Sequence, residues 1–391
     1  MKKLNAILDF NNLAMRALFT CQYMSDGDVV NDFSTNKECE ILVRKITMDI
    51  SHIIRTLYPD RVIFACDAKS PWRNDIYKDI DGETYKGNRG KDENKDWNKI
   101  FEAFNDLKSI LTRDGFVVTE IDATEADDIA AMWKERIMSD GDCVALVSSD
   151  RDWVQLVDFD SKNNNFCVCY NPIPNNKGRK ILYVDERYNE WVNTEDKCDL
   201  FFTGYDPMKK RMKTVESNDS RISIQTVDPQ SVVLNKIMCG DDGDNVPAIY
   251  DYYKNGKKIR VTPLKASHIF SELNIKNVAD LIESNSKGLL KNAIEKELKK
   301  DVDIDMSARV DRQRRLVELN SELFPKKIVE SFEEHTDECK NMGAVRSDAV
   351  KMEVLLKDTK YIDKNYNKTK VNSVFDDFES LTKFSKSPTL F

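Results

Sequence analysis

The chain has 391 residues, of which 40% are hydrophobic and 33% charged, with a formal net charge of −8. This length suits a catalytic domain with one or two additions, and the apolar content is sufficient for a buried core. No apolar run approaches the roughly 18 residues of a membrane span, so a membrane protein is excluded. Residues 1–10 are too short and acidic for a secretory signal, and the nine scattered cysteines form no CxxC pair. We therefore expect reduced thiols and a cytoplasmic location.

The first 160 residues alternate strand and helix signals. Short apolar runs bounded by polar residues predict strands, and residues 36–58 and 100–112 carry apolar side chains at the 3.6-residue spacing of amphipathic helices. Thr124 is predicted to cap a further helix, with Asp127 completing the capping box. The order predicts an α/β fold, in which a doubly wound parallel sheet has helices on both faces. The predicted strands are 4–10, 61–66, 116–119 and 143–148.

The remaining chain divides into segments of different character. A polar stretch at about 72–97 is too long for an ordinary connection, so it is either functional or disordered. We interpret a later segment as an insertion, with a hairpin formed by 166–170 and 181–184. The segment after the insertion is predicted to be entirely helical up to residue 323. The expected parts are an α/β domain at 1–165, the insertion at 166–230, a helical domain at 231–325 and a C-terminal extension at 326–391.

Carboxylates follow the predicted strands and open the helix that starts at the same edge. Carboxyl ends of parallel strands share one edge, where ligands bind. A single Asp after a strand is usually a cap or turn residue, but four acidic motifs at one edge are difficult to explain in that way. So many acids are tolerated together only with bound cations. Because the chain has only three histidines, the ligands would be carboxylate oxygens, which favour hard ions. We therefore expect two Mg²⁺ ions, for which Mn²⁺ can substitute. The acids are Asp9, Asp67, Glu125, Asp127, Asp128, Asp150, Asp152, Asp241 and Asp244.

Six segments together resemble the 5′-nuclease or flap-endonuclease superfamily, most closely its bacteriophage ribonuclease H members. The segments are 7–12, 65–70 with 72–73, 85–91 with 96–97, 125–128, 148–152 and 240–247. The resemblance covers roughly residues 4–160 and 230–320. It implies a PIN-like sheet domain followed by a C-terminal helical domain of the helix-hairpin-helix type. The insertion makes the spacing between Asp152 and Asp244 wider than in those phage enzymes.

The resemblance also implies roles for individual residues. One group of acids would surround the first metal, and a second group would serve the second metal, partly through water. Segment 72–97 corresponds to a mobile arch, in which Lys86 and Arg89 would neutralise the scissile phosphate and Tyr85 would stack on an unpaired base. The alternative for this segment is a solvated run of mixed charges. The first group is Asp9, Asp67, Glu125, Asp127, Asp128 and the catalytic Asp150, and the second is Asp152, Asp241 and Asp244.

Basic residues follow the last acidic motif, with no acid between 254 and 265. The resemblance implies a hairpin that grips duplex phosphates without reading sequence. A solvated loop is the alternative. The residues are Lys254, Lys257, Lys258, Arg260 and Lys265.

The leading functional hypothesis is a metal-dependent 5′-to-3′ exonuclease or flap endonuclease. It would remove RNA primers or 5′ flaps from duplex DNA or an RNA–DNA hybrid during phage replication in the host cytoplasm. A non-catalytic PIN-like replisome scaffold and a small-molecule phosphohydrolase are the alternatives. The apolar residues in tail 374–391, which ends in Leu390 and Phe391, suit docking to a sliding clamp or single-strand-binding protein, or folding back on the helical domain.

Overall fold

The computed structural model describes most of the chain up to residue 342. Tail 374–391 and, within segment 72–97, residues 78–84, 88, Arg89, 91 and 92 lie outside the described residues. The described residues are 2–24, 32–57, 59–69, 71–77, 85–87, 90, 93–113, 115–194, 203–206, 211–214, 222–340 and 342.

Strands and helices alternate through the first half of the chain, and helices dominate the second half. The strands are β1 (Leu4–Asp9), β2 (Arg61–Ala65), β3 (Val117–Thr119), β4 (Cys143–Val147), β5 (Asp158–Asp160), β6 (Asn165–Asn171), β7 (Lys180–Asp185), β8 (Thr203–Asp206), β9 (Arg211–Thr214), β10 (Ile222–Val227), β11 (Asp251–Lys254) and β12 (Lys257–Arg260). The α-helices are α1 (Phe10–Met24), α2 (Asn36–Leu57), α3 (Arg73–Tyr77), α4 (Trp97–Arg113), α5 (Ala126–Ser139), α6 (Glu186–Thr194), α7 (Pro229–Cys239), α8 (Pro263–Leu273), α9 (Val278–Ser286), α10 (Leu289–Leu298), α11 (Met306–Val317) and α12 (Lys326–Glu338), with 3₁₀ helices at Arg151–Leu156 and Ser321–Leu323.

The main sheet has the order β10-β7-β6-β4-β1-β2-β3, and β5 pairs with β6 off this path. Neighbouring strands from β3 to β6 run parallel, whereas β7 is antiparallel to β6. Asp9 is level with Ala65 on β2, and Leu8 is level with Val147 on β4. The carboxyl ends of the three central strands therefore meet at one edge, and the predicted α/β fold is confirmed.

Strands β6, β7 and β10 come from the segment interpreted as an insertion, but they extend the main sheet. Strands β6 and β7 pair as an antiparallel hairpin, and β6 also pairs in parallel with β4. An expected domain boundary at residue 165 thus falls inside the sheet. The physical reason is that β6 is buried along nearly its whole length and has a neighbour on both sides.

Both faces of the sheet are covered by helices. Along β1, Ala6 and Leu8 lie in one apolar core with residues of α1, α2 and α4, whereas Ile7 lies in a second core with residues of α5 and α12. This alternation follows from the two-residue period of a strand. The central strands are consequently buried on both sides, as parallel strands normally are.

A third apolar core joins helices α7 to α11. The prediction of an entirely helical segment is wrong at residues 251–260, where β11 and β12 form an antiparallel hairpin. Asn255 and Gly256 form its turn with φ angles of 52° and 73°, and Asn-Gly is a strong hairpin signal. Tyr252 and Ile259 are cross-strand neighbours that pack on the helical core. No helix in the described part of the chain is long and apolar enough to cross a membrane.

Candidate metal centre and active site

Asp9 and Asp67 lie at the sheet edge where the central strands end. Asp9 is the last residue of β1 and is 5% exposed. Its carboxylate accepts hydrogen bonds from the backbone N–H of Asn12 at 3.0 Å and from the hydroxyl of Ser148, after β4, at 2.8 Å. Asp67 follows β2 and accepts the backbone N–H of Ala126, the first residue of α5, at 2.8 Å. These bonds fix the ends of three strands and one helix to each other.

The N-terminus of α5 begins one residue later than predicted. Glu125, not Thr124, is the N-cap, and its capping-box partner is Asp128 rather than Asp127. Thr124 is buried, and its hydroxyl donates to the carbonyl of Ile121 at 2.6 Å. With this helix start, Asp128 faces Arg73 and Asp127 faces the indole of Trp153.

Asp128 is a structural counter-ion of a buried arginine. It is 0% exposed, and Arg73 Nη2 lies 2.8 Å from its Oδ1. Its Oδ2 accepts from Arg73 Nη1 and from the indole N–H of Trp72, both at 3.0 Å. Since both carboxylate oxygens are directed at these donors, the expected role of Asp128 as a metal ligand is revised.

Arg73 was missed in the sequence analysis. Its Nη1 also lies 3.0 Å from Glu125 Oε2, and its Nε donates to the carbonyl of Leu316 on α11 at 3.0 Å. A buried arginine in a polar stretch looks like any solvated cation in the sequence. Its partners in α5 and α11 are known only from the fold.

Asp127, Asp150 and Asp152 form the next part of the cluster. Asp127 accepts the indole N–H of Trp153 at 2.6 Å. Asp150 is exposed at the sheet edge and caps the 3₁₀ helix by accepting the backbone N–H of Asp152 at 2.9 Å. The 3₁₀ helix therefore presents two acids beside the start of α5.

The third part is a rigid turn after α7. Carboxylate oxygens of Asp152, Asp241 and Asp244 all lie within 4.8 Å of each other. Gly240, with a φ of 75°, leads into the turn, and a Cβ there would lie 2.3 Å from the carbonyl oxygen of Val246. Only glycine fits this close approach. These three residues are the ones predicted to serve the second metal.

Lys236 is a second residue that was missed in the sequence analysis. It lies on α7, and its ammonium donates hydrogen bonds to both Asp152 and Asp241. Its side chain is 15% exposed. One lysine among the many in this chain carries no sequence signal of its own. The sequence does place Lys236 one helical turn before the acidic motif at 240–247, and this position was the available clue.

Tyr85 and Lys86 connect the two groups of acids. The Tyr85 hydroxyl lies 2.9 Å from Glu125 Oε2 and 3.2 Å from Asp244 Oδ2. Lys86 Nζ donates to Glu125 and lies 3.7 Å from Asp244 Oδ1, while its backbone N–H donates to the Asp244 carbonyl at 3.0 Å. Lys86 also has a φ of 56°, an uncommon conformation for a residue with a side chain. The surrounding contacts hold it there.

The expected role of Tyr85 in base stacking does not fit its position. The ring is 8% exposed and packs against Tyr77 at a centroid distance of 6.1 Å. A base cannot stack on a ring that is already covered. Tyr85 instead positions Glu125 and Asp244 through its hydroxyl.

Several acids have raised pKa values because they are buried and, secondly, because other carboxylates lie nearby. Burial, followed by the charge of Asp67, raises the pKa of Asp9 to about 7. Burial and the nearby Asp150 and Asp152 raise the pKa of Asp127 well above its ordinary value. Burial also raises the pKa of Asp152 to about 6, even though Lys236 opposes it. The ionised forms of these acids are thus poorly stabilised, and the all-oxygen donors of the cluster fit hard divalent cations.

Two acids are ionised more readily than usual. Burial alone would raise the pKa of Glu125, but Arg73 and Lys86 lower it below the ordinary value. Burial alone would also raise the pKa of Asp241, but the nearby ammonium of Lys236 lowers it below the ordinary value. Each of these carboxylates already has a cationic partner.

The predicted basic residues lie on and beside the β11–β12 hairpin. Lys254 and Lys257 are exposed cross-strand neighbours. Lys258 pairs with Asp251 at 3.3 Å, and the two terminal nitrogens of Arg260 bind Asp242 at 2.7 and 3.0 Å. The remaining member, Lys265, donates to the carbonyl of Arg260 at 3.2 Å. The hairpin is therefore attached to the same turn that carries Asp241 and Asp244.

Residues 5–188 match the family model of the N-terminal resolvase-like domain of 5′-3′ exonucleases. DNA polymerase I of Streptococcus pneumoniae is 28% identical over 159 residues, which are 40% of this chain and 16% of the polymerase. A 5′-3′ exonuclease of Mycoplasma pneumoniae is 29% identical over 156 residues, which are 39% of this chain and 49% of that protein. The match thus spans half or less of each relative.

Solved structures of phage T5 proteins are similar along most of the chain. A T5 5′-exonuclease with bound zinc covers 86% of this chain and 100% of its own, at 16% identity and a TM-score of 0.47. A T5 flap endonuclease in a complex with DNA and metal ions covers 87% of this chain and 100% of its own, at 17% identity and a TM-score of 0.45.

Proposed function

We propose, from the match of residues 5–188 to the N-terminal resolvase-like domain of 5′-3′ exonucleases, that this chain is a divalent-metal-dependent 5′-to-3′ exonuclease or flap endonuclease. The observation that carries the proposal is the convergence of acids from three strand ends, the start of α5 and the turn after α7. Burial, and secondly the neighbouring carboxylates, raise the pKa values of Asp9, Asp127 and Asp152, so bound cations would stabilise the ionised forms of these acids. A scaffold without catalysis has no need of such a cluster.

Two groups of acids would hold the metals. When bound, Mg²⁺ or Mn²⁺ would lower the pKa of a water and stabilise the leaving oxygen of a phosphodiester. The first group comprises Asp9, Asp67, Glu125, Asp127 and Asp150, and the second comprises Asp152, Asp241 and Asp244.

Lys86 is the side chain best placed to meet a phosphate. Its ammonium lies between Glu125 of the first group and Asp244 of the second. A phosphate oxygen at this position would receive a charge-assisted hydrogen bond where negative charge develops. Tyr85 would position the same two acids through its hydroxyl, which lies within hydrogen-bonding distance of both carboxylates. Arg89 is proposed to assist Lys86 on the basis of the sequence.

The substrate we propose is duplex DNA or an RNA–DNA hybrid with a 5′ end or flap, as in primer removal during replication. The exposed Lys254 and Lys257 would bind backbone phosphates without reading sequence. Terminal nucleotides would unpair to reach the acids, a step for which proteins accept an unstacking cost of a few kcal/mol. Tail 374–391 is proposed, from its sequence, to recruit a sliding clamp or single-strand-binding protein.

The test is cleavage of a 5′-labelled flapped duplex and of a 5′-labelled RNA–DNA hybrid. We expect release of short 5′ products with Mg²⁺, and no release with a chelator. An Asp150→Asn variant should lose at least about a thousandfold in rate, while its affinity for the duplex is retained because the basic hairpin is unchanged. Metal-independent cleavage, or full activity of the variant, would contradict the proposal. Binding without any cleavage by the wild type would favour the scaffold.

A further inference from the structure

The ammonium of Lys236 lies between two carboxylates of the second acid group. It hydrogen-bonds to Asp152 and Asp241, two of the three residues whose carboxylate oxygens lie within 4.8 Å of each other. Its position is fixed at both ends. The backbone carbonyl of Lys236 accepts the N–H of Gly240 at 2.9 Å, so the last turn of α7 is hydrogen-bonded to the residue that begins the acidic turn.

An ion shared by the same two carboxylates would need the space of this ammonium. Mg²⁺ binds oxygen at about 2.0–2.1 Å, shorter than the hydrogen bonds that an ammonium makes to carboxylates. A divalent ion held by both Asp152 and Asp241 would therefore have to displace Lys236 Nζ from between their carboxylates. The ammonium and the ion exclude each other by volume and by charge.

We propose that Lys236 is the built-in counter-cation of the metal-free second site, and that a divalent ion binds there by displacing its ammonium. The lysine keeps Asp152 and Asp241 together when no ion is bound, and it lowers the affinity of the site by competing with the ion. The inference rests on the proposed metal-dependent function, because it identifies the Lys236 ammonium as the group that competes with the second metal ion.

Lys134 provides a matched control elsewhere in the same domain. Its side chain is 17% exposed, against 15% for Lys236, and its Nζ binds the carboxylate of Asp158 at 2.7 Å. Lys134 lies on α5 and pairs at the β5 side of the sheet. Replacing it removes a half-buried ion pair without touching the acid turn.

The experiment measures Mn²⁺ binding by calorimetry, and thermal unfolding with and without Mn²⁺, for the full chain and for Lys236→Met and Lys134→Met. With a chelator, both variants should unfold at lower temperature than the wild type. With Mn²⁺, Lys236→Met should bind the weaker ion at least about tenfold more tightly and gain more in Tm than the wild type, because the competing charge is gone. Lys134→Met should show the wild-type Mn²⁺ affinity and the wild-type gain.

Unchanged or weaker Mn²⁺ binding by Lys236→Met would overturn the inference, because the lysine would then be only a structural partner. Lys236→Gln, which keeps a hydrogen-bond donor but no charge, should also bind Mn²⁺ more tightly, and it serves if the methionine variant does not fold. Failure of the wild type to bind Mn²⁺ would instead remove the proposed function itself.

Discussion

The guanidinium of Arg73 lies 2.8 Å from the carboxylate of Asp128, and both side chains are almost completely buried. This pair joins the first residue of α3 to the first turn of α5. The same guanidinium also binds Glu125 and the carbonyl of Leu316 on α11. Arg73 thus connects the base of the proposed arch, the acid cluster and the helical part of the chain.

Replacing Arg73 with methionine should destabilise the protein by about 3–5 kcal/mol, because Asp128 would remain buried without a counter-charge. Denaturant unfolding measures the loss. Arg136→Met is the control, since Arg136 is more exposed and its pair with Glu333 should contribute no more than about 1 kcal/mol. A similar, small loss in both variants would show that Asp128 does not depend on Arg73.

Tyr85→Phe separates two roles of the ring. Loss of the hydroxyl should lower the cleavage rate by roughly tenfold, because Glu125 and Asp244 lose a shared hydrogen-bond donor. A ring that acted by base stacking would instead tolerate phenylalanine and fail only as Tyr85→Ala. Single-turnover rates of the two variants decide between these roles. Wild-type rates for Tyr85→Phe together with a defective alanine variant would restore the stacking hypothesis.

The sheet and the place of the acids could be predicted because both depend on local patterns. Buried strands are short apolar runs, and an acid that follows a strand must lie at its carboxyl end. Asp9, Asp67 and Asp150 therefore follow from their position in the chain. Their common edge requires only that the strands be parallel.

The partners of the acids could not be predicted because they depend on long-range packing. Asp127 and Asp128 are adjacent in the sequence, and the helix start alone decides that Asp128 faces Arg73 while Asp127 stays in the cluster. Lys236 meets Asp152 only through the packing of α7 on the 3₁₀ helix. The β11–β12 hairpin is different, since its Asn255-Gly256 turn was a local signal that the helical interpretation overlooked.

The pH dependence of stability should identify Asp9 as a buried acid that keeps its proton to an unusually high pH. An unfolded chain releases the Asp9 proton near its ordinary pKa of 3.8, whereas the folded protein holds it until about 7. Between these values the folded state binds more protons, so metal-free stability should fall as pH rises, by at most about 1.4 kcal/mol per pH unit. Asp9→Asn should flatten this slope in denaturant unfolding with a chelator present.

Divalent ions should reverse this pH trend, because they bind the ionised carboxylate and their affinity rises with pH. Wild-type protein with saturating Mg²⁺ should therefore gain stability relative to the chelated protein as pH increases from about 6 to 8. An identical slope for wild type and Asp9→Asn without metal would place the tightly held proton elsewhere.

The basic hairpin should determine the salt dependence of duplex binding. Lys254 and Lys257 are exposed neighbours, whereas Lys258 and Arg260 already pair with Asp251 and Asp242. We therefore expect reversal of both exposed lysines to glutamate to weaken duplex binding and to reduce the slope of log affinity against log salt by about 0.9 for each phosphate that the hairpin no longer neutralises. Fluorescence anisotropy over a range of salt concentrations measures both quantities.

The matched control reverses two other exposed lysines to glutamate. These are Lys326, the first residue of α12, and Lys340, just after the end of that helix, so the change in net charge is the same. Overall charge repulsion would weaken binding equally in both double variants. Direct binding of phosphates by the hairpin predicts a reduced slope only for the hairpin variant, and its cleavage rate at saturating enzyme should stay close to that of the wild type because the acid cluster is untouched. Equal slopes for wild type and the hairpin variant would mean that Lys254 and Lys257 are merely solvated.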